Sequence, residues 1–213
     1  KDKMVILCVH IPMRASGNQN VQAVFELLKP FAEVHVMSGH THYAENNVYD
    51  SHYEHVHGAA CGAWWNSTIN VDGTPNGYAI YNIKGATITD WVYKGTGLDA
   101  QQQIRLYRAN DIFMRDYSKN YQFYYKGDDQ IVANVWNADK DWKIEVYENG
   151  IKTGEMTHFD YTGNEKDKSW DAWALGYHIG VVGKAELDSN KKPTSYYQRN
   201  VRHLYLSLIH ISE

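Results

Sequence analysis

Three histidines near the start of the chain have the type and spacing that bind metal ions. They are His10, and His40 and His42 in the run Gly-His-Thr-His at residues 39–42. Neutral imidazole is a good ligand for Zn, Mn, Fe and similar ions, and the glycine lets both later rings turn toward one point. The pattern therefore predicts a metal site. The alternative is that these are polar loop residues, because short motifs also arise by chance.

The elements around these histidines predict that they lie together. Residues 4–9 and residues 34–38 are apolar runs that are typical of strands. Between them, apolar side chains at helical spacing predict a helix; they are Val21, Val24, Phe25 and Leu28. A strand, a helix and a strand of this length form a βαβ unit with parallel strands. All three histidines then follow strand ends at the carboxyl edge, where open α/β sheets bind ligands.

The sequence changes character after residue 51 and predicts mainly β structure. Residues 78–83 and 87–93 are β runs around a Lys-Gly turn, which predicts a hairpin. A Gly-rich and polar stretch then predicts a domain boundary near residue 99. Beyond it, alternating runs and the Asn-Gly pair at residues 149–150 predict a small β-sandwich. The expected fold class is α/β + β, with residues 1–99 and 100–213 as its two domains.

Composition excludes some classes of function. The 213 residues carry a net charge of −4, so we do not expect a nucleic-acid binder that relies on a basic surface. The sequence has no run of the roughly 18 apolar residues that a membrane helix needs. Its two cysteines form no disulfide scaffold. Cys8 is expected to be a buried thiol, and Cys61 a small buried residue rather than a nucleophile. The oligomeric state stays open.

The histidine motifs resemble those of a known family. The Gly-His-Thr-His run at residues 39–42 resembles the last signature of the calcineurin-like metallophosphoesterases. His10, with a proline two residues later, resembles the histidine that precedes that signature. Residues 58–65 and 72–78 resemble a bacterial branch of the family with an added C-terminal β domain. The resemblance covers residues 4–97 well and the remainder loosely, and it implies that the first domain is the C-terminal half of the family's α/β sandwich.

This resemblance implies a site for two divalent metal ions (Mn, Fe or Zn). His10 and His40 would bind one ion and His42 the other, with a carboxylate and a water between them. Such sites clamp the attacking and leaving oxygens of an in-line displacement. The implied function is hydrolysis of a phosphate mono- or diester, with a small-molecule phosphoester as the substrate.

The chain departs from the family pattern before His10. The Asp-x-His, Gly-Asp-x-x-Asp and Gly-Asn-His segments of the family do not occur there. They supply the bridging carboxylate, the ligand asparagine and the histidine that acts on the leaving group. We therefore expect a fragment without the N-terminal half of the catalytic domain, with no catalytic residue of its own and negligible activity. Residues 207–213 are expected to be a non-native tail. The bacterial relatives favour a periplasmic or extracellular location for the parent protein.

Other residues are weaker candidates. Trp64 and Trp65 are candidate substrate contacts that would stack on a ring, although core packing explains them as well. Asp72 is a candidate for a substrate-facing loop, although turn chemistry alone explains its Asp-Gly-Thr-Pro context. His55 and His57 share one face of a strand and are expected to pack against neighbours, or to orient metal ligands from outside the site, rather than to bind metal.

A second hypothesis belongs to a different class, a non-catalytic β-sandwich that binds a glycan or packs against a truncated, inactive domain. It depends on four tryptophans of the second domain, which form either an exposed sugar-binding platform or part of a core. These are Trp136, Trp142, Trp170 and Trp173. Because large aromatic side chains are mostly buried, we expect a core.

Overall fold

The chain begins with the predicted βαβ unit. The computed structural model describes residues 2–14, 19–109, 130–159, 170–182 and 201–208. The first elements are β1 (Met4–Cys8), α1 (Gln19–Leu28) and β2 (Glu33–Ser38). β1 and β2 are parallel, with Met4 opposite Glu33, which confirms the prediction. The helix ends two residues before Pro30, which has no N–H to continue it.

A four-stranded sheet grows from this unit. Two further strands, β3 (Glu45–Val48) and β4 (Tyr53–Val56), complete it in the order β1-β2-β4-β3. β4 is parallel to β2 and antiparallel to β3. β2 is therefore central, and its Val36 is fully buried.

The prediction of a buried thiol at Cys8 is wrong, because this side chain is exposed. Its strand, β1, lies at the edge of the sheet in the described residues and pairs only with β2. The first four residues of β1 are half-buried. An apolar run thus indicated the strand correctly but not its position in the sheet.

The predicted hairpin around the Lys-Gly turn is confirmed. β5 (Gly77–Lys84) pairs antiparallel with β6 (Thr87–Gly95). Gly85 closes the turn with a φ of 64°, a left-handed conformation that glycine adopts without steric cost. Glu33 at the start of β2 accepts hydrogen bonds from Thr87 Oγ1 (2.6 Å) and from Ile88 N (3.1 Å). These bonds fasten the hairpin to the first sheet.

The C-terminal part contains a five-stranded antiparallel sheet, whose strands are β7 (Ile104–Arg108), β8 (Gln130–Val135), β9 (Ile144–Glu148), β10 (Ile151–His158) and β11 (Leu204–Leu208). Their order in the sheet is β7-β8-β11-β10-β9. Asn149 and Gly150 form the predicted turn between β9 and β10, with φ values of 51° and 81°. The described residues contain one sheet of this part, and its arrangement as a sandwich stays a prediction.

One hydrophobic core joins the two parts of the chain. It contains residues from both sides of residue 99, the predicted domain boundary, which lies in the loop between β6 and β7. Short helix α2 (Ala172–Gly176), which continues as one π-helical turn over Tyr177–Val181, also packs into it. The buried members are Tyr43, Ala63, Val71, Tyr107, Ala109, Val132, Ala172, Leu175, Val201 and Leu204.

The four tryptophans of the C-terminal part do not form one exposed platform. Trp136 is buried, and Trp170 and Trp173 are partly buried against the core. Trp142 is 40% exposed. Three of the four thus contribute to packing, as expected.

Part of the expected tail belongs to the C-terminal sheet. Ser207 and Leu208 lie in β11 and pair with Ile131 and Gln130 of β8, and residues 209–213 lie outside the described residues.

No helix in the described ranges has the length and apolar character needed to cross a bilayer.

Candidate metal centre

His10 and His40 lie side by side at the carboxyl edge of the first sheet. Each follows the end of its strand by two residues, and Gly39 N donates a hydrogen bond to His10 O (3.2 Å) across the two loops. His40 Nδ1 lies 3.1 Å from His10 Nε2, and the ring centroids are 4.9 Å apart. Both side chains are exposed. The βαβ connection therefore brings together two imidazoles that are 30 residues apart.

The spacing of these two nitrogens is that of a hydrogen bond between the rings, and it also fits two ligands of one metal ion. Two nitrogens at about 2.1 Å from one ion are ~3.0 Å apart at a right angle and ~3.4 Å apart at a tetrahedral angle. The observed 3.1 Å lies between these values. Two imidazoles are only part of a metal shell. Within the described ranges, no group of three or more His, Cys, Asp or Glu side chains is placed to hold an ion.

His42 is held apart from this pair. Its Nδ1 lies 2.9 Å from Gly62 O, and its ring stacks on Trp64 with centroids 4.8 Å apart. A hydrogen bond from Nδ1–H to a carbonyl fixes the tautomer and leaves the Nε2 lone pair available. Histidines that bind metal usually make such a bond through their second nitrogen.

The backbone of the Gly-His-Thr-His run is in an unfavourable conformation. His40 and His42 have φ values of 68° and 56°, in the left-handed region that costs non-glycine residues roughly 1–2 kcal/mol each. Such residues persist only where the surrounding structure holds them, and they cluster at functional sites. Two hydrogen bonds hold the residues that follow. Thr41 Oγ1 donates to Tyr43 O (3.2 Å), and Ala44 N donates to Asp72 Oδ2 (2.7 Å).

The structure places Asp72 in the interior and not in a substrate-facing loop. The residue is 1% exposed, and both of its carboxylate oxygens accept hydrogen bonds. Oδ1 accepts from the N–H and the hydroxyl of Thr74 (3.1 and 2.8 Å). Oδ2 accepts from Ala44 N and lies 3.1 Å from His203 Nε2. The sequence predicted the turn at Asp72 but not its contacts with Ala44 and His203, which lie 28 and 131 positions away along the chain.

A second buried carboxylate holds the loop that carries His10. Glu54 of β4 is fully buried, and it accepts hydrogen bonds from Met13 N (2.7 Å) and Arg14 N (3.0 Å). Arg14 in turn donates to Tyr43 Oη (2.6 Å) and to Glu45 Oε2 (3.0 Å). The two loops that carry His10 and His40 are thereby linked by side chains as well as by the sheet.

The comparison with known families shows which family the chain belongs to. The family model described as the C terminal of calcineurin-like phosphoesterase matches residues 54–209. The chain belongs to the calcineurin-like phosphoesterases. No curated protein and no solved structure matches it significantly. The matched region begins after the three histidines, so the family assignment does not depend on them. Calcineurin-like phosphoesterases generally use divalent metal ions, which agrees with the chemistry of the imidazole pair.

Two tryptophans project from the loop beside His42. Trp64 is 57% exposed and Trp65 84% exposed, and their φ values of 51° and 64° are left-handed. Bulky residues adopt this conformation rarely. An open groove of about 410 Å³ lies beside Trp65. Its other lining residues are Asn66, Ser67, Thr68, Tyr177, Val181 and Val182.

The remaining histidines of the first sheet pack beneath the β5–β6 hairpin. His55 Nε2 lies 2.9 Å from His35 Nδ1, and His57 Nε2 lies 2.7 Å from Tyr81 Oη. Burial, together with the neighbouring His35 and His57, lowers the pKa of His55 to about 3. A neutral, buried imidazole stacked on Tyr53 (4.0 Å between centroids) has a packing role, as the sequence predicted.

Proposed function

We propose that this chain provides His10, His40 and His42 to the divalent-metal site of a phosphoesterase that hydrolyses phosphate mono- or diesters. One observation carries the proposal, the 3.1 Å approach of His40 Nδ1 to His10 Nε2 at the edge of a parallel sheet. It occurs in a chain whose family generally uses divalent metals.

The three imidazoles have separate tasks in this proposal. His10 and His40 together hold one ion, and His42 turns its Nε2 toward a second, because Nδ1 is occupied by Gly62 O. Mn, Fe and Zn all suit imidazole ligands. Bound ions of this kind lower the pKa of a coordinated water and neutralise charge on the phosphoryl oxygens. The Gly62 carbonyl and the Trp64 ring orient His42 for this task.

The described residues offer no carboxylate to bridge two ions and no further histidine to act on the leaving group beside this pair. We therefore expect negligible phosphoesterase turnover from the 213-residue chain alone. An assay of 4-nitrophenyl phosphate hydrolysis with added Mn(II) checks this. Ordinary turnover, with saturation kinetics and inhibition by a chelator, would contradict the proposed ligand set.

The proposal is tested most simply by metal binding. His10→Ala and His40→Ala each remove one of the paired ligands, so Mn(II) affinity should fall by at least about tenfold in either variant. The EPR signal of free Mn(II) measures binding. His158→Ala is a matched control, since His158 lies in β10 of the C-terminal sheet, where its Nε2 is 2.7 Å from Arg202 O. Equal loss of affinity in all three variants would reject the proposed site.

A further inference from the structure

The turn around Asp72 connects the histidine loop to the C-terminal sheet. On one side, Asp72 Oδ2 accepts from Ala44 N (2.7 Å), two residues after His42. On the other side, the same oxygen meets Nε2 of His203, which directly precedes β11. His203 and Asp72 are each 1% exposed. A buried pair of this kind is costly to break, because the remaining partner is left uncompensated.

Two more strands of the sheet bind the backbone of this turn. Asn134 of β8 donates from Nδ2 to Asp72 O (2.7 Å). Arg105 of β7 donates from Nη1 to Gly73 O, and its guanidinium lies 4.0 Å from the centroid of the Trp173 ring. Strands β7 and β8 and the residue before β11 thus fix one turn.

Gly73 allows this close approach. Its φ is 86°, and a Cβ at this position would lie 2.7 Å from Asp171 Oδ2 and 2.8 Å from Asn134 Nδ2. Any other residue would push the turn away from the sheet. The turn is therefore built for contact with the C-terminal sheet, although it lies in the first part of the chain.

The histidine loop needs such support. His40 and His42 are held at positive φ, which is unfavourable without contacts that impose it. The Ala44–Asp72 bond is a contact at the end of this loop that reaches beyond the first sheet. Partners outside the ligand shell that orient metal ligands typically change metal affinity 10–100-fold when removed.

We infer that Asp72 and His203 are positioning residues through which the C-terminal sheet holds the histidine loop in its metal-binding conformation. This inference rests on the proposed function for the role of the loop. It assigns the C-terminal part a task in the metal site, and neither residue contacts the ion.

The test uses four variants of the 213-residue chain. Asp72→Ala and His203→Ala break the link, and His203→Gln keeps a side-chain N–H donor of similar reach. Met156→Ala is the control for general destabilisation, since Met156 of β10 is buried in a second core cluster with Ala133, Val135, Ala138 and Tyr205, which includes neither Asp72 nor His203. Two quantities are measured in each variant, the Mn(II) affinity by EPR and the hydrogen-exchange rate of the Ala44 amide by NMR.

Asp72→Ala and His203→Ala should weaken Mn(II) binding by about tenfold or more and speed exchange of the Ala44 amide. His203→Gln should restore both quantities, and Met156→Ala should lower thermal stability without changing affinity. Unchanged affinity in both link-breaking variants, or an equal loss in Met156→Ala, would overturn the inference. Absence of Mn(II) binding in the unmodified chain would instead reject the proposed function. The Ala44 exchange rate would still report whether Asp72 and His203 hold the loop.

Discussion

Trp65 carries a large apolar surface into solvent on a backbone with positive φ. Stacking of an aromatic pair contributes about 0.5–1.5 kcal/mol beyond burial. If Trp65 stacks on a ring of the substrate, Trp65→Ala should weaken binding of 4-nitrophenyl phosphate about two- to tenfold. The affinity for glycerol phosphate, which has no ring, should not change. Titration calorimetry on the Mn(II)-loaded chain measures both.

The control for this prediction is Trp142→Ala. Trp142 is 40% exposed and lies between β8 and β9, apart from the groove beside Trp65. Loss of affinity for both phosphoesters in Trp65→Ala would show that the indole supports the loop and does not recognise a ring.

At the scale of residues, the sequence predicted only those site contacts that local pattern can show. The meeting of His10 with His40 followed from the βαβ unit. The contact of Asp72 with His203 did not, because His203 is 131 positions away, directly before β11. Glu54 is a comparable case, since the hydrogen bonds that it accepts from Met13 N and Arg14 N depend on the packing of two loops.

At the scale of elements, turn chemistry gave the most accurate predictions. Gly150 closes the β9–β10 hairpin at a φ of 81°, with open space where a Cβ would lie, so Gly150→Ala tests backbone strain alone. We expect it to lower the free energy of unfolding by about 1–2 kcal/mol, measured by urea denaturation. Gly154→Ala is the matched control, because Gly154 has equal space and no positive φ.

A loss of unfolding free energy in Gly154→Ala as large as that in Gly150→Ala would contradict this explanation of the turn.

Apolar runs were less informative than turns. The run at residues 4–9 indicated a strand but not its place at the edge of the described sheet, where Cys8 is exposed. The exposure of a side chain depends on its neighbours in space, and a single apolar run of the sequence does not contain them.

At the scale of the whole molecule, stability should depend on pH through buried histidines. Folding lowers the pKa of His55 from its ordinary value of 6.5 to about 3. Above pH 6.5 the group is neutral in both states and has no effect. As the pH falls from 6.5 toward 3, the unfolded chain binds a proton that the folded chain does not. Stability should then fall by roughly 1.4 kcal/mol per pH unit.

Urea denaturation at pH 7.5 and pH 5.0 measures this effect. His55→Gln should reduce the difference between the two free energies of unfolding by about 2 kcal/mol. Burial also lowers the pKa of His52 and His57, so part of the pH dependence should remain in the variant. A difference that is the same in both proteins would show that His55 does not titrate as its burial implies.

We expect His10 and His40 to bind the same metal ion, and NMR of the histidine rings measures this. Mn(II) broadens the signals of nuclei close to it. At substoichiometric Mn(II), the ring signals of His10 and His40 should disappear first and together, while that of His158 persists. Broadening that is equal across the histidines, or that spares either member of the pair, would contradict binding of one ion by both rings.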